Sequence, residues 1–344
     1  MKPELPASLW PLVHRAAAGE GWPPSSGPAA DLLVAQSARQ GLLPLLFEAH
    51  GEMPAVVQEA LERHRGWQRV HSARTARLQD AIGGLCRALS DEPLVLLKGA
   101  DYMRRLYPRP ELRPMDDVDV LVPRARIDEV CRRLQGFGLR PAFPAGPVSR
   151  LPSYHERVFD WDGVIVEVHH SFIQRARHRV DYDAVWERRL PLDLEGGRAA
   201  RLADADGLAY HALALSIDAF AVPLVRYVDL WLLLAAAPES LAAAARRARD
   251  WQAVHAFYGA FRQAFRFFPE LRTAERAAVV EGLLRAPARA FVDRFVLPRP
   301  REHGRERVGR GLRLWRKFWL MDNLRRRAGL ALYHVYAMAA GRRT

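Results

Sequence analysis

The sequence predicts an α+β fold, with a small mixed sheet set between N-terminal helices and a C-terminal helical bundle. Three observations predict it. Apolar residues follow helical spacing through 29–50 and 55–89, with few strand signals. Strand signals begin abruptly at Leu94, after Asp91-Glu92-Pro93, and return between 156 and 169. From Asp204 the chain reverts to Ala/Leu-rich helical patterns. The chain so divides into an N-terminal helical region (1–92), a central core (93–200), a C-terminal helical region (201–298) and a basic amphipathic tail (299–344).

Gly51 and Pro54 separate the two N-terminal helical stretches, the second carrying Leu61, Val70, Leu78, Ile82, Leu85 and Leu89. The apolar strand from Leu94 ends in Lys98-Gly99, and Ala100–Tyr107 reads as a helix stopped by Pro108. A second strand begins at Asp117-Val118-Asp119. Strand side chains alternate, so Asp117 and Asp119 share a face while Val118 and Val120 point into the core. Residues 125–136 form an amphipathic helix through Ile127, Val130, Cys131 and Leu134, and Gly136-Phe137-Gly138 ends it. Asp162-Gly163 then turns a hairpin from Glu156–Asp160 into Val164–His169. Its parity puts Glu167 and His169 on one face, and Val166 and Val168 on the other.

Two carboxylates on one strand face repel each other, and a cation between them offsets that cost. Oxygen ligands of this kind suit magnesium. Beside a glycine turn, the acid pair reads as a phosphate-handling site. Glu167, a carboxylate in an otherwise β-branched strand, is the third candidate metal ligand. The turn supplies the phosphate side: Gly99 lets backbone N–H groups approach, and the following helix points its positive end there. Lys98 is placed to neutralise phosphate charge. Arg113, four residues before Asp117, offers a bidentate phosphate contact, with pairing to Asp116 or Glu111 as its plainer use. His169 suits a supporting or acceptor-side role, or a structural hydrogen bond. His155 has no ligand spacing, and His211, Asp218 and Asp229 lie in helices suited to line an acceptor pocket, with buried helix–helix hydrogen bonds as their plainer use.

The segment LLKGADYMRRLYP…LRPMDDVDVLV resembles the signature of the uncharacterised bacterial nucleotidyltransferase family, within the DNA polymerase β-like superfamily. The shared hallmarks are a strand ending in Lys-Gly, an arginine before the acids, and Asp-x-Asp followed by aliphatic residues. The resemblance runs from about Leu32 to about Leu234, and Glu167-Val168-His169 matches the family's Glu-x-His strand. It implies a polymerase β-like core, an NTP substrate and two magnesium ions. Asp117 and Asp119 would ligate both ions, and Glu167 would complete the one that activates an acceptor hydroxyl. Lys98-Gly99-Ala100 departs from the superfamily's usual Gly-Ser or Gly-Gly, so the serine contact to phosphate is missing.

Composition bounds the alternatives. With 344 residues, 49% hydrophobic and 26% charged, the chain is globular in type. Two lone cysteines, the absence of a signal-peptide pattern, and a best apolar run (220–237) broken by Arg226 and Asp229 lead to an expectation of a cytoplasmic protein. The net charge of +13 is localised: 299–344 holds thirteen basic residues and three acids, a net of +10. Within it, Val308, Leu312, Trp315, Phe318 and Trp319 follow helical spacing amid Arg and Lys. Such a helix packs on the body or, over 308–319, makes a peripheral membrane contact. No RNA-binding motif accompanies the charge, which argues against nucleic acid. The competing functional reading is a catalytically silent scaffold working through this tail. The acceptor (small molecule, sugar or protein) is not encoded in any motif.

Overall fold

The structure is a computed structural model describing residues 9–11, 13, 23–24, 26–49, 51, 53–142, 155–174, 177–194, 197–298, 310–323 and 327. Its class is α+β. Strands β1 (Val95–Leu96), β2 (Asp117–Leu121), β3 (Arg140–Pro141), β4 (Glu156–Trp161), β5 (Val164–His169), β6 (Leu190–Leu194) and β7 (Gly197–Arg201) form one mixed sheet. Its order is β3-β4-β5-β2-β1-β7-β6. The pairs β2–β5 and β1–β7 are parallel, and the other neighbours are antiparallel.

Helices α1 (Gly27–Arg39), α2 (Leu43–Glu48), α3 (Ala55–Glu62) and α4 (Arg65–Ala88) precede the sheet. Helix α5 (Lys98–Arg105) joins β1 to the loop before β2, α6 (Ile127–Gly136) follows β2, and α7 (Tyr182–Arg188) follows β5. The C-terminal bundle comprises α8 (Asp204–Ser216), α9 (Val225–Ala236), α10 (Ser240–Asp250), α11 (Val254–Phe267), α12 (Ala274–Glu281) and α13 (Ala286–Phe291), with α14 (Arg310–Trp319) beyond it.

The alternation along β2 and β5 decides what each face meets. Val118, Val120, Val166 and Val168 are fully buried under α4 and α6, against Leu78, Ile82, Val130 and Leu134. Burying each of these valines contributes about 1.5–3 kcal/mol. The opposite face, bearing Leu121 and Val95, packs on the C-terminal bundle through Tyr210, Leu213 and Trp251. The acids of β2 therefore lie between sheet and bundle. Helices α1–α3 do not stand apart from the bundle; Leu33, Leu45 and Val57 share one core with Leu230, Phe257 and Phe261.

The helix expected from Ala100 begins two residues earlier. Leu97 N–H still donates to the Asp119 carbonyl at 3.0 Å, so the β1 ladder holds to residue 97 and the chain turns within one residue. Lys98 absorbs that turn with φ +46°, a left-handed conformation that costs a non-glycine residue about 1–2 kcal/mol. Residues 55–89 break at 63–64 into α3 and α4. The β6–β7 hairpin is an element that the strand reading did not reach.

Of the tail, 310–323 and Arg327 are described, and Val308 lies outside the described residues. Helix α14 packs on the body. Trp319 sits 4.9 Å from Phe291, Leu320 and Met321 are buried, and Asp322 caps α11 by accepting from Val254 N–H at 2.7 Å and His255 N–H at 3.1 Å. Leu312 and Trp315 keep 43% and 39% of their surface exposed, beside the exposed Arg313, so any apolar surface contact of this helix falls to these two. Among the described residues no single helix is long and apolar enough to cross a membrane.

Gly259 in α11 gives the first prediction. A Cβ there would lie 2.5 Å from the ring of Phe220, which is fully buried and cannot retreat. Gly259→Ala would gain about 1 kcal/mol of helix propensity, yet overpacking costs about 1–3 kcal/mol. A lowered midpoint in thermal or urea unfolding is expected; a raised one would show that the bundle yields.

Candidate active site

The parallel register of β2 and β5 sets Asp119 directly beside Glu167, and Asp117 beside Ile165. Asp119 is 2% exposed. Its Oδ1 accepts from Lys98 Nζ at 2.5 Å and from His169 Nε2 at 2.8 Å. Glu167 Oε2 lies 3.3 Å from the same His169 nitrogen. Ligand atoms of Asp119, Glu167 and His169 fall within 4.8 Å of one another. Asp117 shares their face and, among the described residues, has no hydrogen-bond or ion-pair partner.

Burial pushes the Asp117 carboxyl up to about 6, and the neighbouring Asp119 charge adds to the rise. Burial would also raise Asp119, but Lys98 and the His169 hydrogen bond outweigh it and hold this carboxyl well below the usual range. His169 is the converse: burial disfavours its charge, while Asp119 and Glu167 raise the imidazole to about 9. Lys98 is likewise raised, with Asp119 and Glu167 overcoming desolvation. The site thus concentrates like charges on two strands and answers them with two internal cations.

Asp117 and Asp119 line a cavity of about 540 Å³, whose wall includes Lys98 and Gly99. A volume of this size lies in the range of small-molecule sites. Gly99 is closely packed: a Cβ there would stand 3.2 Å from Met115, which closes that side and would have to shift by a few tenths of an ångström. Arg113, expected to reach a phosphate, lines the same cavity but is 8% exposed, and its guanidinium is engaged by a carboxylate. Its Nε and Nη2 donate to both carboxylate oxygens of Asp229 at 2.7–3.0 Å, rather than to Asp116 or Glu111. Asp116 is exposed and pairs with Arg74 at 2.8 Å. His211 bonds the Arg226 carbonyl at 2.7 Å, and Asp218 stands 4.0 Å from Lys317; both serve helix contacts.

Sequence reading missed the cavity's other walls. Arg39 at the end of α1, Trp67, His71 and Arg74 on α4, and Arg226 at the start of α9 all line it. Gly41 brings the outermost of these together. Its φ of +69° and missing Cβ admit Val225, while Val225 N–H donates to the Gln40 carbonyl at 3.0 Å. Trp67 and His71 stack with centroids 4.8 Å apart, and His71 Nε2 is 2.7 Å from the Glu111 carbonyl. Arg39 and Arg226 have no carboxylate partner among the described residues. The i, i+4 spacing of Trp67 and His71 was visible, but nothing local ties either to a phosphate.

The chain was compared with protein-family models and with curated proteins. None of the curated proteins matches it. One family model, described as an uncharacterised nucleotidyltransferase, matches residues 26–269. That stretch takes in α1–α4, the whole sheet and the bundle through α11, so both walls of the cavity fall inside it. At the level the match reaches, the chemistry is that of a transferase. The chain belongs to this nucleotidyltransferase family.

Proposed function

We propose that the protein transfers a nucleoside monophosphate from an NTP to a hydroxyl-type acceptor, releasing pyrophosphate, with Mg2+ held by Asp117, Asp119 and Glu167. One observation carries the reading: the β2–β5 register, which sets a third acid on the face of an acid pair that lines a cavity bearing cations. The donor set fits a hard divalent ion. It is all oxygen, and Asp117 is a crowded carboxyl without a partner among the described residues, whose raised value a cation would reverse. Bound there, divalent ions stabilise the attacking and leaving oxygens of an in-line displacement.

The chain's own residues account for the rest. Lys98 and the N-terminal end of α5 face the phosphates, with Arg226 and Arg39 across the cavity as further counter-charges. Glu167 does not line the cavity and so suits the acceptor side, where its carboxylate takes the proton as the acceptor oxygen bonds to the α-phosphorus. The bond from that phosphorus to the pyrophosphate oxygen breaks, and the proton resides on Glu167. His169 orients both Asp119 and Glu167 through one nitrogen.

The test is incubation of the full chain with each α-labelled NTP and cell extract, comparing wild type with Glu167→Gln. Label transfer that falls by roughly 10²–10³-fold in the variant is expected. Equal labelling by both proteins would remove Glu167 from the reaction. No labelling by wild type with any nucleotide would favour the scaffold reading.

A further inference from the structure

The imidazole of His169 has a second side, and it faces away from the acids. Nε2 lies against the Asp119 carboxylate, which only accepts, so Nε2 keeps its hydrogen, and Nδ1 presents a lone pair once a metal displaces the ring's second proton. The side chain is 2% exposed, and Nδ1 makes no hydrogen bond among the described residues. What it faces is Glu156 Oε2 at 3.6 Å. Glu156 is the cross-strand partner of His169 in the β4–β5 ladder, so the two share a face. His155, just before β4, places Nε2 3.3 Å from the same Glu156 oxygen, and its carbonyl accepts from His170 N–H at 3.0 Å, which extends the ladder and fixes its backbone.

We propose that His155, Glu156 and His169 form a second metal site, chemically distinct from the carboxylate set, which takes a borderline transition-metal ion of the Zn2+ class. One ligand atom from each residue lies within 4.8 Å of the others. Donors bonded at about 2.0–2.1 Å around a tetrahedral ion stand about 3.3–3.4 Å apart. The two contacts on the Glu156 oxygen, 3.3 and 3.6 Å, are close to that spacing. Two imidazoles and one carboxylate favour Zn2+ over Mg2+, which prefers oxygen alone. Asp119 supplies what such sites ordinarily have behind a ligating histidine: a carboxylate on the other ring N–H, fixing tautomer and orientation. Three protein ligands leave a fourth position open. The two sites would communicate through one ring, His169.

The experiment uses the full chain stripped with chelator, then equilibrated with Zn2+ in a large excess of Mg2+ and desalted. One zinc per chain is expected in wild type and in Asp117→Asn, whose change lies outside the triad. His155→Ala and Glu156→Gln are expected to bind more than about 100-fold more weakly, since loss of an outer partner alone costs 10–100-fold. Melting curves in chelator identify a variant that has lost its fold. For that case, X-ray absorption at the zinc edge of the wild type counts the ligands directly, and two imidazoles are expected. No retained zinc, zinc held equally by His155→Ala, or fewer than two imidazoles would overturn the site. Zinc lost only in Asp117→Asn would overturn it too, placing the ion among the β2 acids. Label transfer can fail without touching this result, because the zinc readout does not depend on turnover.

Discussion

Asp117→Asn is expected to slow nucleotidyl transfer by orders of magnitude while making the protein more stable above neutral pH. The two effects share one cause. Asp117 sits partly buried beside Asp119, and its carboxyl is pushed from 3.8 to about 6. A group whose folded value is raised holds its proton more tightly in the native state between those two values. Its contribution to stability is full below about pH 4 and is lost as pH rises through about 6. The loss is on the order of 1–3 kcal/mol, at the lower end because the side chain keeps some solvent. Asparagine has the same shape and cannot ionise. In chelator, the variant should therefore unfold at higher temperature than wild type at pH 8, with the gap closing near pH 4. Transfer should drop by roughly 10²–10³-fold, the scale of removing one preorganised electrostatic group. Undiminished transfer would exclude Asp117 from the site. A variant less stable at pH 8 would mean that an unseen partner already satisfies the carboxylate.

How far the sequence could be read depended on whether a feature was local. The common face of Asp117 and Asp119 follows from the two-residue period of a strand, and one hairpin turn at Asp162-Gly163 was enough to align Glu167 with His169. Pairing of β2 with β5 then sets Asp119 beside Glu167. What was not legible is what distant segments bring. Arg113 sits on the expected loop, but its partner Asp229 lies 116 residues away on α9. Arg39 and Arg226 reach the cavity because Gly41 lets α1 and α9 meet, a contact that no local pattern reports. His155 and Glu156 adjoin in sequence and carried no metal spacing. Only the antiparallel ladder, which pairs Glu156 with His169, turns them into a cluster. The turn after β1 likewise depends on detail that no local pattern reports. The left-handed conformation falls on Lys98, and Gly99 packs closely against Met115.

The largest loss of stability should come from Asp229→Ala. Asp229 is fully buried and accepts from Arg113 Nε and Nη2 and from Tyr107 Oη, the last at 2.8 Å. Burial disfavours the Arg113 charge, but Asp229 more than restores it and keeps the guanidinium protonated at any working pH. Removing the acid takes the carboxylate away from a buried cation, at a cost of about 3–5 kcal/mol. Urea unfolding should show it as a lower midpoint with an unchanged slope. The double variant Arg113→Met/Asp229→Leu should recover most of that loss, because replacing both members of a buried pair by apolar residues is often neutral. The recovered fold also separates two roles for Arg113. With every hydrogen bond from Nε and Nη2 directed to Asp229 and Nη1 donating to the Pro114 carbonyl, the double variant should bind labelled NTP about as tightly as wild type. A folded double variant with weak nucleotide binding would return Arg113 to the phosphate and make Asp229 the residue that holds it ready.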